Sequence, residues 1–209
     1  VAGGSVGGPG AAAIDTAIGT LAARASGGSV YVSEADALTL GTVGAISVNR
    51  IGLDSSVTPV AGEELVAAVR ARNNVKIEAG VYAAGNLTVS TAVGAGDDVL
   101  LHARQGDLAV NAAVSAGKQA VDDLTLLASL GITQSAVGDI TAGGTIDVEA
   151  QGGSVEMADG ATATAGGNIR YLAAQDIVLG GLRGANVMVE ATGGSVTDGG
   201  DADKDVEAL

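Results

Sequence analysis

The chain has no cysteine, no tryptophan and no phenylalanine, and only 3 of its 209 residues are tyrosine. Without cysteine it forms no disulfide framework, thiolate zinc site or cysteine nucleophile. Aromatic residues make up 1% of the chain and hydrophobic residues 47%, so the apolar side chains are mostly those of alanine, valine, isoleucine and leucine. We therefore expect a packed interior of small aliphatic side chains, with little aromatic surface for stacking on sugars.

Basic residues are also scarce. The 10 lysines and arginines are outnumbered by 24 aspartates and glutamates, which gives a formal net charge of −14. This charge repels nucleic acid phosphates and anionic membrane surfaces, and no local basic patch in the sequence offsets it. No run of about 18 apolar residues is present either. We therefore expect no nucleic-acid partner and no membrane insertion.

The hydrophobic residues follow a repeated five-residue unit: aliphatic, any residue, aliphatic or tyrosine, any residue, alanine. Alternation with a period of two predicts β-strands whose first, third and fifth side chains point inward. Successive copies start 24, 25, 22, 23 and 18 residues apart. The six copies are VKIEA (75–79), VLLHA (99–103), LTLLA (124–128), IDVEA (146–150), IRYLA (169–173) and VMVEA (187–191).

Two further short runs follow most copies. The second run alternates, as in GNLTV (85–89) and GSVEM (153–157), and the third usually closes with Ala-Gly, as in AAVSAG (112–117). Glycine at these corners is predicted to supply positive φ. Three short strands per turn of about 22 residues predict an all-β fold, a single-stranded parallel β-helix (β-solenoid) of eight or nine coils.

The N-terminal half follows the pattern less regularly. Residues 1–20 are predicted to form an N-terminal segment, either a cap helix or a poor strand, with coils from 21 to 209. The match of SVYVSEADALTLGTVGAISV (29–48) to residues 168–189 predicts one more coil and places ISV (46–48) in the next. GEELVAAVRAR (62–72) has acids before arginines, as a helix dipole favours. We therefore predict an insertion at 51–72 with a short helix near 62–72.

The C-terminal end begins another copy of the unit, KDVEAL (204–209), and no capping element is visible. An uncapped solenoid exposes unpaired backbone N–H and C=O groups along its last strands. The sequence therefore predicts an open edge that pairs with neighbouring repeats, or with a second copy of the chain end to end.

The small-residue coils, the A-G-G-[DN] corners and GGSVTDGG (193–200) resemble the repeats of filamentous-haemagglutinin-type adhesins, which are large bacterial surface proteins. The resemblance is clearest over residues 73–198 and fainter over 21–50. It implies a right-handed β-helical shaft, secreted to the bacterial cell surface or extracellular matrix. It also implies a structural protein that is not an enzyme. The partner implied is a host or cell-surface receptor of unknown identity.

The acidic residues near the C-terminus suggest a calcium site. Asp201, Asp203 and Asp205 have the D-x-D-x-D spacing that places alternate carboxylates on one ion, and Asp198 is a further candidate ligand. However, Val206 occupies the position where a calcium loop has glycine. A solvated acidic corner explains the same residues without an ion. No cofactor other than calcium is expected.

Several outward positions are candidates for contacts. Asp147 and Arg170 fall on neighbouring coils, which predicts an ion pair. The only histidine, His102, is also predicted to face outward, away from any cleft that a Ser-His-Asp site would need. Four large apolar residues at outward positions are either scattered surface residues or a lateral contact face: Leu100, Leu127, Leu172 and Met188.

Three functions are compatible with the sequence. The first is a structural shaft segment of a secreted adhesin or extracellular filament, and the second is a filament subunit that assembles end to end. The third is a polysaccharide-binding or polysaccharide-degrading β-helix, which requires a groove lined with acidic and basic groups. For that third function the relevant aromatic residues are Tyr31 and Tyr82, expected to face outward, because Tyr171 takes an inward position.

Overall fold

The computed structural model describes residues 1–65, 68–200 and 204–209. The chain forms a parallel β-solenoid of eight coils with three strands in each coil, which confirms the predicted all-β fold. Equivalent strands stack into three parallel eight-stranded sheets, here called sheet 1, sheet 2 and sheet 3. With strands about 4.8 Å apart, the stack is on the order of 40 Å long. Among the described residues the one helical element is a 3₁₀ turn at Gly10–Ala12.

Each coil contributes one strand to each sheet. Sheet 1 contains β1 (Ile14–Thr16), β4 (Val30–Glu34), β9 (Val75–Ala79), β12 (Val99–Ala103), β15 (Leu124–Ala128), β18 (Ile146–Ala150), β21 (Ile169–Ala173) and β24 (Val187–Ala191). Sheet 2 contains β2 (Thr20–Leu21), β5 (Leu38–Leu40), β10 (Leu87–Val89), β13 (Leu108–Val110), β16 (Ile132–Gln134), β19 (Val155–Met157), β22 (Ile177–Leu179) and β25 (Val196–Asp198). Sheet 3 contains β3 (Ala23–Ala25), β8 (Val69–Ala71), β11 (Val93–Gly94), β14 (Val114–Ser115), β17 (Ile140–Ala142), β20 (Thr162–Ala165), β23 (Gly181–Gly184) and β26 (Val206–Ala208).

The six predicted five-residue units are six strands of sheet 1, from β9 to β24, with the predicted bounds. They pair position by position, so that Ala79 lies beside Ala103 and Ala150 beside Ala173. The uneven spacing of the copies in the sequence does not disturb this register, because the turns between strands absorb the difference in length. The second and third runs form sheets 2 and 3 as predicted.

The interior is a set of aliphatic stacks that run along the coils. The first, third and fifth side chains of β9, β12, β15, β18 and β21 are all buried. Tyr171 is fully buried, as predicted, and its hydroxyl donates a hydrogen bond to Oε1 of Gln134 at 3.3 Å. The Gln134 side chain in turn donates to the carbonyl of Thr162 at 2.8 Å. This pair is a polar exception within an aliphatic core.

The stacked corner glycines allow close packing of the backbone, and the predicted need for positive φ is wrong there. At the corner between sheets 3 and 1, a Cβ on Gly117 would lie 2.1 Å from the carbonyl oxygen of Gly96. A Cβ on Gly166 would lie 2.3 Å from the carbonyl oxygen of Gly143. At Gly117 and Gly166, successive coils therefore approach too closely for any side chain. Among the described glycines, positive φ occurs at Gly7, Gly10, Gly80, Gly160 and Gly200.

The predicted helix near 62–72 is wrong. The insertion is an antiparallel β-hairpin of β6 (Ser47–Ile51) and β7 (Val57–Ala61), and ISV (46–48) contributes to this hairpin instead of a coil. Part of the predicted helix, Val69–Ala71, is strand β8, which pairs with β3 on one side and β11 on the other. Parallel pairing on both sides outweighs the modest helix propensity of so short a segment. Val66 and Ala67 lie outside the described residues.

The first coil is irregular in sheet 1. Val6 forms a single bridge to Val30, and β1 then pairs with the second half of β4, from Val32 to Glu34. Residues 7–13 leave the sheet between these two contacts and form a loop that contains the 3₁₀ turn. The chain thus departs from the solenoid at a position where the later coils have a continuous strand.

Glu34 occupies the position that alanine takes in the later strands of sheet 1, and its side chain is fully buried. Its carboxylate accepts hydrogen bonds from the backbone N–H groups of Ile18 at 3.1 Å and Ala35 at 3.0 Å, and from the hydroxyl of Thr16. These donors compensate the buried negative charge. The carboxylate therefore joins residues 16–18 of the first coil to the second coil.

The last coil leaves its inward face partly uncovered. The inward side chains of β24 are half-buried, whereas those of the preceding strand β21 are at most 1% exposed. In the other two strands of this coil, Val196 is 45% exposed and Val206 is 48% exposed. No described strand pairs with the outer edge of β24, β25 or β26.

Candidate functional site

The outward side chains of sheet 1 form two columns that run along the stack, one from each outward position of the five-residue unit. The second-position column is Tyr31, Lys76, Leu100, Thr125, Asp147, Arg170 and Met188. The fourth-position column is Ser33, Glu78, His102, Leu127, Glu149, Leu172 and Glu190. Charged clusters occur at two places on this face, around Glu78 and around Arg170.

The cluster around Arg170 contains the predicted ion pair. The Arg170 guanidinium lies 2.8 Å from a carboxylate oxygen of Asp147, which confirms that prediction, and also 2.8 Å from one of Glu149. The hydrogen bonds that Arg170 donates to Asp147, together with the charges of the two acids, raise the pKa of Arg170 above its ordinary value. One arginine therefore compensates two acids from the neighbouring strand, an arrangement that holds adjacent coils in register.

The four outward apolar residues do not form one continuous strip. By strand register, Leu100 lies diagonally across from Leu127, and Leu172 lies diagonally across from Met188. The Arg170 cluster separates the two pairs. Met188 is 49% exposed, whereas the three leucines are half-buried. A lateral contact through these residues stays a prediction, and any partner would have to cover two small patches and the charges between them.

Of the four predicted calcium ligands, Asp201 and Asp203 lie outside the described residues. Asp198 ends strand β25, and its carboxylate accepts a hydrogen bond from the backbone N–H of Gly200 at 2.7 Å. Asp205 precedes β26, and its carbonyl accepts from the N–H of Leu182. Within the described residues no group of three histidine, aspartate or glutamate side chains is placed to hold a metal. The calcium site stays a prediction.

A groove of about 440 Å³ opens on the outward side of sheet 1, at the N-terminal end of the stack. Two of the three tyrosines of the chain, Tyr31 and Tyr82, line it together. The charged residues that line it are Asp15, Lys76, Glu78 and Arg104. A chain with very few aromatic and basic residues thus brings two of each to one place.

Glu78 is the centre of the charged groups in the groove. Its carboxylate lies 3.5 Å from Nζ of Lys76, 3.4 Å from Nη1 of Arg104 and 3.8 Å from Nδ1 of His102. Burial lowers the pKa of His102 below its ordinary value of 6.5, and the attraction of Glu78 opposes this effect only in part. The imidazole is therefore neutral at pH 7, and two cations and two acids leave the groove without formal net charge.

The turn that carries Tyr82 is fixed by backbone hydrogen bonds. The N–H groups of Gly80 and Tyr82 donate to carbonyls of the preceding coil, those of Asp36 and Ala35, at 2.8 Å and 3.0 Å. From the following coil, the Gln105 side chain donates to the carbonyl of Gly80 at 2.8 Å. The aromatic side chain itself is 73% exposed. Tyr82 therefore projects into solvent from a backbone that neighbouring coils hold in place.

The opposite wall of the groove is the loop of residues 7–13. Gly10, Ala11 and Ala13 from this loop line the groove. Gly7 starts the loop with φ of 68°, and a Cβ at this position would lie 2.5 Å from the carbonyl oxygen of Tyr31. Only glycine permits this approach, so the interruption of the first coil is specified locally by Gly7.

A polar ladder that was not predicted from the sequence lies at the corner before sheet 1. From the second coil to the eighth, the residue that precedes the strand is polar, and in several coils its side chain accepts a hydrogen bond from the backbone N–H of the equivalent residue one coil later. The backbone N–H of Asp123 donates to Oδ1 of Asp98 at 2.9 Å, and the backbone N–H of Thr145 donates to Oδ1 of Asp123 at 2.7 Å. In the sequence, the ladder is visible as a polar residue immediately before each five-residue unit. The ladder residues are Ser29, Asn74, Asp98, Asp123, Thr145, Asn168 and Asn186.

The comparisons with known proteins add no family to these observations. A scan against models of known protein families finds no match, and searches of curated proteins and of solved structures find no similar chain. No helix among the described residues has the length and apolar character needed to cross a membrane.

Proposed function

We propose that this chain is a non-catalytic, β-helical shaft segment of a secreted bacterial adhesin or extracellular filament. In this role it acts mechanically: in-register ladders of backbone hydrogen bonds and buried aliphatic stacks resist bending and stretching. The net charge of −14 keeps such rods apart in solution.

The observation that carries this proposal is the regular stack of coils from β9 to β23. The strands of sheet 1 pair there position by position, and the first, third and fifth side chains of β9 to β21 are buried in one continuous, mostly aliphatic core. In a solenoid each coil buries the inward face of the coil before it, so repetition of the coil extends a rod.

The location of the protein on its producing cells tests the shaft role. We expect immunogold electron microscopy, with antibodies against the purified chain, to label the cell surface or extracellular filaments. Cells that lack the gene serve as the control. Label confined to the cytoplasm would overturn the proposal.

The exposed edge of the last coil, where Val196 is 45% and Val206 is 48% exposed, supports a second candidate, a subunit that assembles end to end through strand pairing with another copy. This version is tested by sedimentation of the purified chain over a range of concentrations. Val196→Glu places a charge on the inward side of the open edge, and Thr197→Glu places the same charge on the outward side of the same strand. We expect assembly that Val196→Glu abolishes and Thr197→Glu retains, whereas a monomer at every concentration excludes this candidate.

A further inference from the structure

We propose that the groove between residues 10–15 and the turn at Tyr82 binds a neutral sugar unit of a polysaccharide. This inference goes beyond the shaft role and does not depend on it, because the groove lies on the side of the rod near its N-terminal end. A shaft with such a site would bind a glycan on its side as well as extend from the cell.

The aromatic residues give the first reason. Sugar rings present an apolar face of C–H groups that stacks on aromatic side chains, and tyrosine is amphipathic enough to hold this position in water. The third tyrosine, Tyr171, is buried in the core, so every solvent-accessible aromatic residue of this chain lines the same groove. Tyr82 is 73% exposed on a fixed turn, so its ring is accessible to a ligand.

The polar residues give the second reason. Sugar hydroxyls donate and accept hydrogen bonds, and they are bound by acidic and basic side chains placed side by side. The groove supplies acceptors from Asp15 and Glu78 and donors from Lys76 and Arg104. The carboxylate of Asp15 and the hydroxyls of Tyr31 and Tyr82 have no hydrogen-bond partner among the described residues. These three groups are therefore available to a ligand.

The charge balance indicates a neutral sugar. The two cations of the groove share Glu78, whose carboxylate lies within 3.5 Å of both and offsets one of the two positive charges. Asp15 adds a second negative charge, and the net charge of the whole chain repels a polyanion. A neutral glycan avoids both costs.

Calorimetric titration with cellohexaose, maltohexaose and chitohexaose, and with a galacturonic acid hexamer as the anionic probe, tests the proposal. We expect at least one neutral oligosaccharide to bind and to do so more tightly than the anionic one. Without tryptophan, the intrinsic fluorescence comes from tyrosine alone, and two of its three sources line the groove. Binding should therefore also change the tyrosine emission.

Two groove variants and a matched control locate the site. Tyr82→Ala removes an exposed ring and Asp15→Asn removes a charge, and we expect each to weaken binding by roughly tenfold. Val121→Ala truncates a side chain that is 76% exposed elsewhere on the surface, and it should bind like the parent. Unchanged melting temperatures show that the folds are intact. The proposal is overturned if no neutral probe binds, if the anionic probe binds best, or if Tyr82→Ala binds normally.

Discussion

The regular part of the solenoid, from β9 to β23, differs from the N-terminal part, residues 1–72, in how it uses the same coil. In the regular part, inward positions are mostly aliphatic, with Tyr171 and Gln134 as the polar exception, and most corners are glycine or polar. The N-terminal part keeps the three-sheet plan but adds the loop at 7–13, the hairpin at 47–61 and a buried carboxylate at Glu34. The groove forms where the loop at 7–13 departs from the coil, beside Lys76, Glu78, Tyr82 and Arg104 of the regular part.

The comparison shows two ways of stabilising a solenoid. Regular coils rely on repetition, since each one buries the same surface against its neighbours. The irregular coils rely on specific contacts, such as the carboxylate of Glu34 and the close approach at Gly7. Substitutions in the two parts should therefore destabilise the fold for different reasons.

The largest expected effect is a methyl group added at a regular corner. In Gly143→Ala the new Cβ would lie 2.3 Å and 2.4 Å from backbone atoms of Lys118 and Gln119, which cannot move without disturbing the next coil. We expect a loss of about 3 kcal/mol in the free energy of unfolding, measured by urea titration. Gly19→Ala makes the same change in the N-terminal part, where no atom lies within 4 Å, and should have little effect. Equal losses in both variants would refute the close-packing role of the corner glycines.

The next largest effect is expected for a substitution that gives the second coil the alanine of the regular pattern. Glu34→Ala supplies the residue that later coils carry at this position, but it leaves the Ile18 N–H and the Thr16 hydroxyl without their acceptor. We expect a loss of about 2 kcal/mol, with faster amide hydrogen exchange concentrated in residues 14–21. Glu156→Ala, at an outward position of β19, is the control and should be near neutral. A stabilised Glu34→Ala variant would show that alanine suits every coil.

The polar pair inside the regular core should give a smaller effect that depends on pH. Tyr171→Phe removes one buried hydrogen bond, for an expected loss of about 1 kcal/mol at pH 7. Burial raises the pKa of Tyr171 above 10.0, so above that pH the unfolded chain releases this proton while the native state retains it. The native protein should therefore lose up to about 1.4 kcal/mol per pH unit above pH 10 from this residue, a contribution that Tyr171→Phe lacks. Parallel curves for the two proteins between pH 9 and 11 would contradict this.

The smallest expected effect concerns the surface ion pair of the regular part. The side chains of Asp147 and Arg170 are 34% and 39% exposed, so solvent screens their attraction. Asp147→Asn should cost about 0.5 kcal/mol, less in high salt. A double-mutant cycle with Arg170→Gln measures the coupling, and a coupling above about 2 kcal/mol would mean that the pair is far less screened than its exposure indicates.

The regular half of the fold was predictable because its information is local. Period-two alternation marks each strand, and the recurrence of the five-residue unit gives the register of β9 to β24 without any knowledge of contacts. The ion pair of Asp147 with Arg170 follows directly from that register. The hairpin was not predictable in this way, because ISV (46–48) has the same alternation as a coil strand and differs only in its partner.

The sequence pattern alone decided the three-sheet solenoid, its coil length and the burial of Tyr171, because all of these repeat at short range. Tertiary structure decided which of the residues that depart from the pattern lie close together. Tyr31 and Tyr82 are 51 positions apart, and only the pairing of β4 with β9 brings them to one groove with Glu78. In the sequence, Glu34 is likewise recognisable only as an acid at an inward position. Its hydrogen-bond donors in the preceding coil come from residues 16–18, which only the structure shows. Such contacts depend on pairing between distant segments, which periodicity along the chain does not encode.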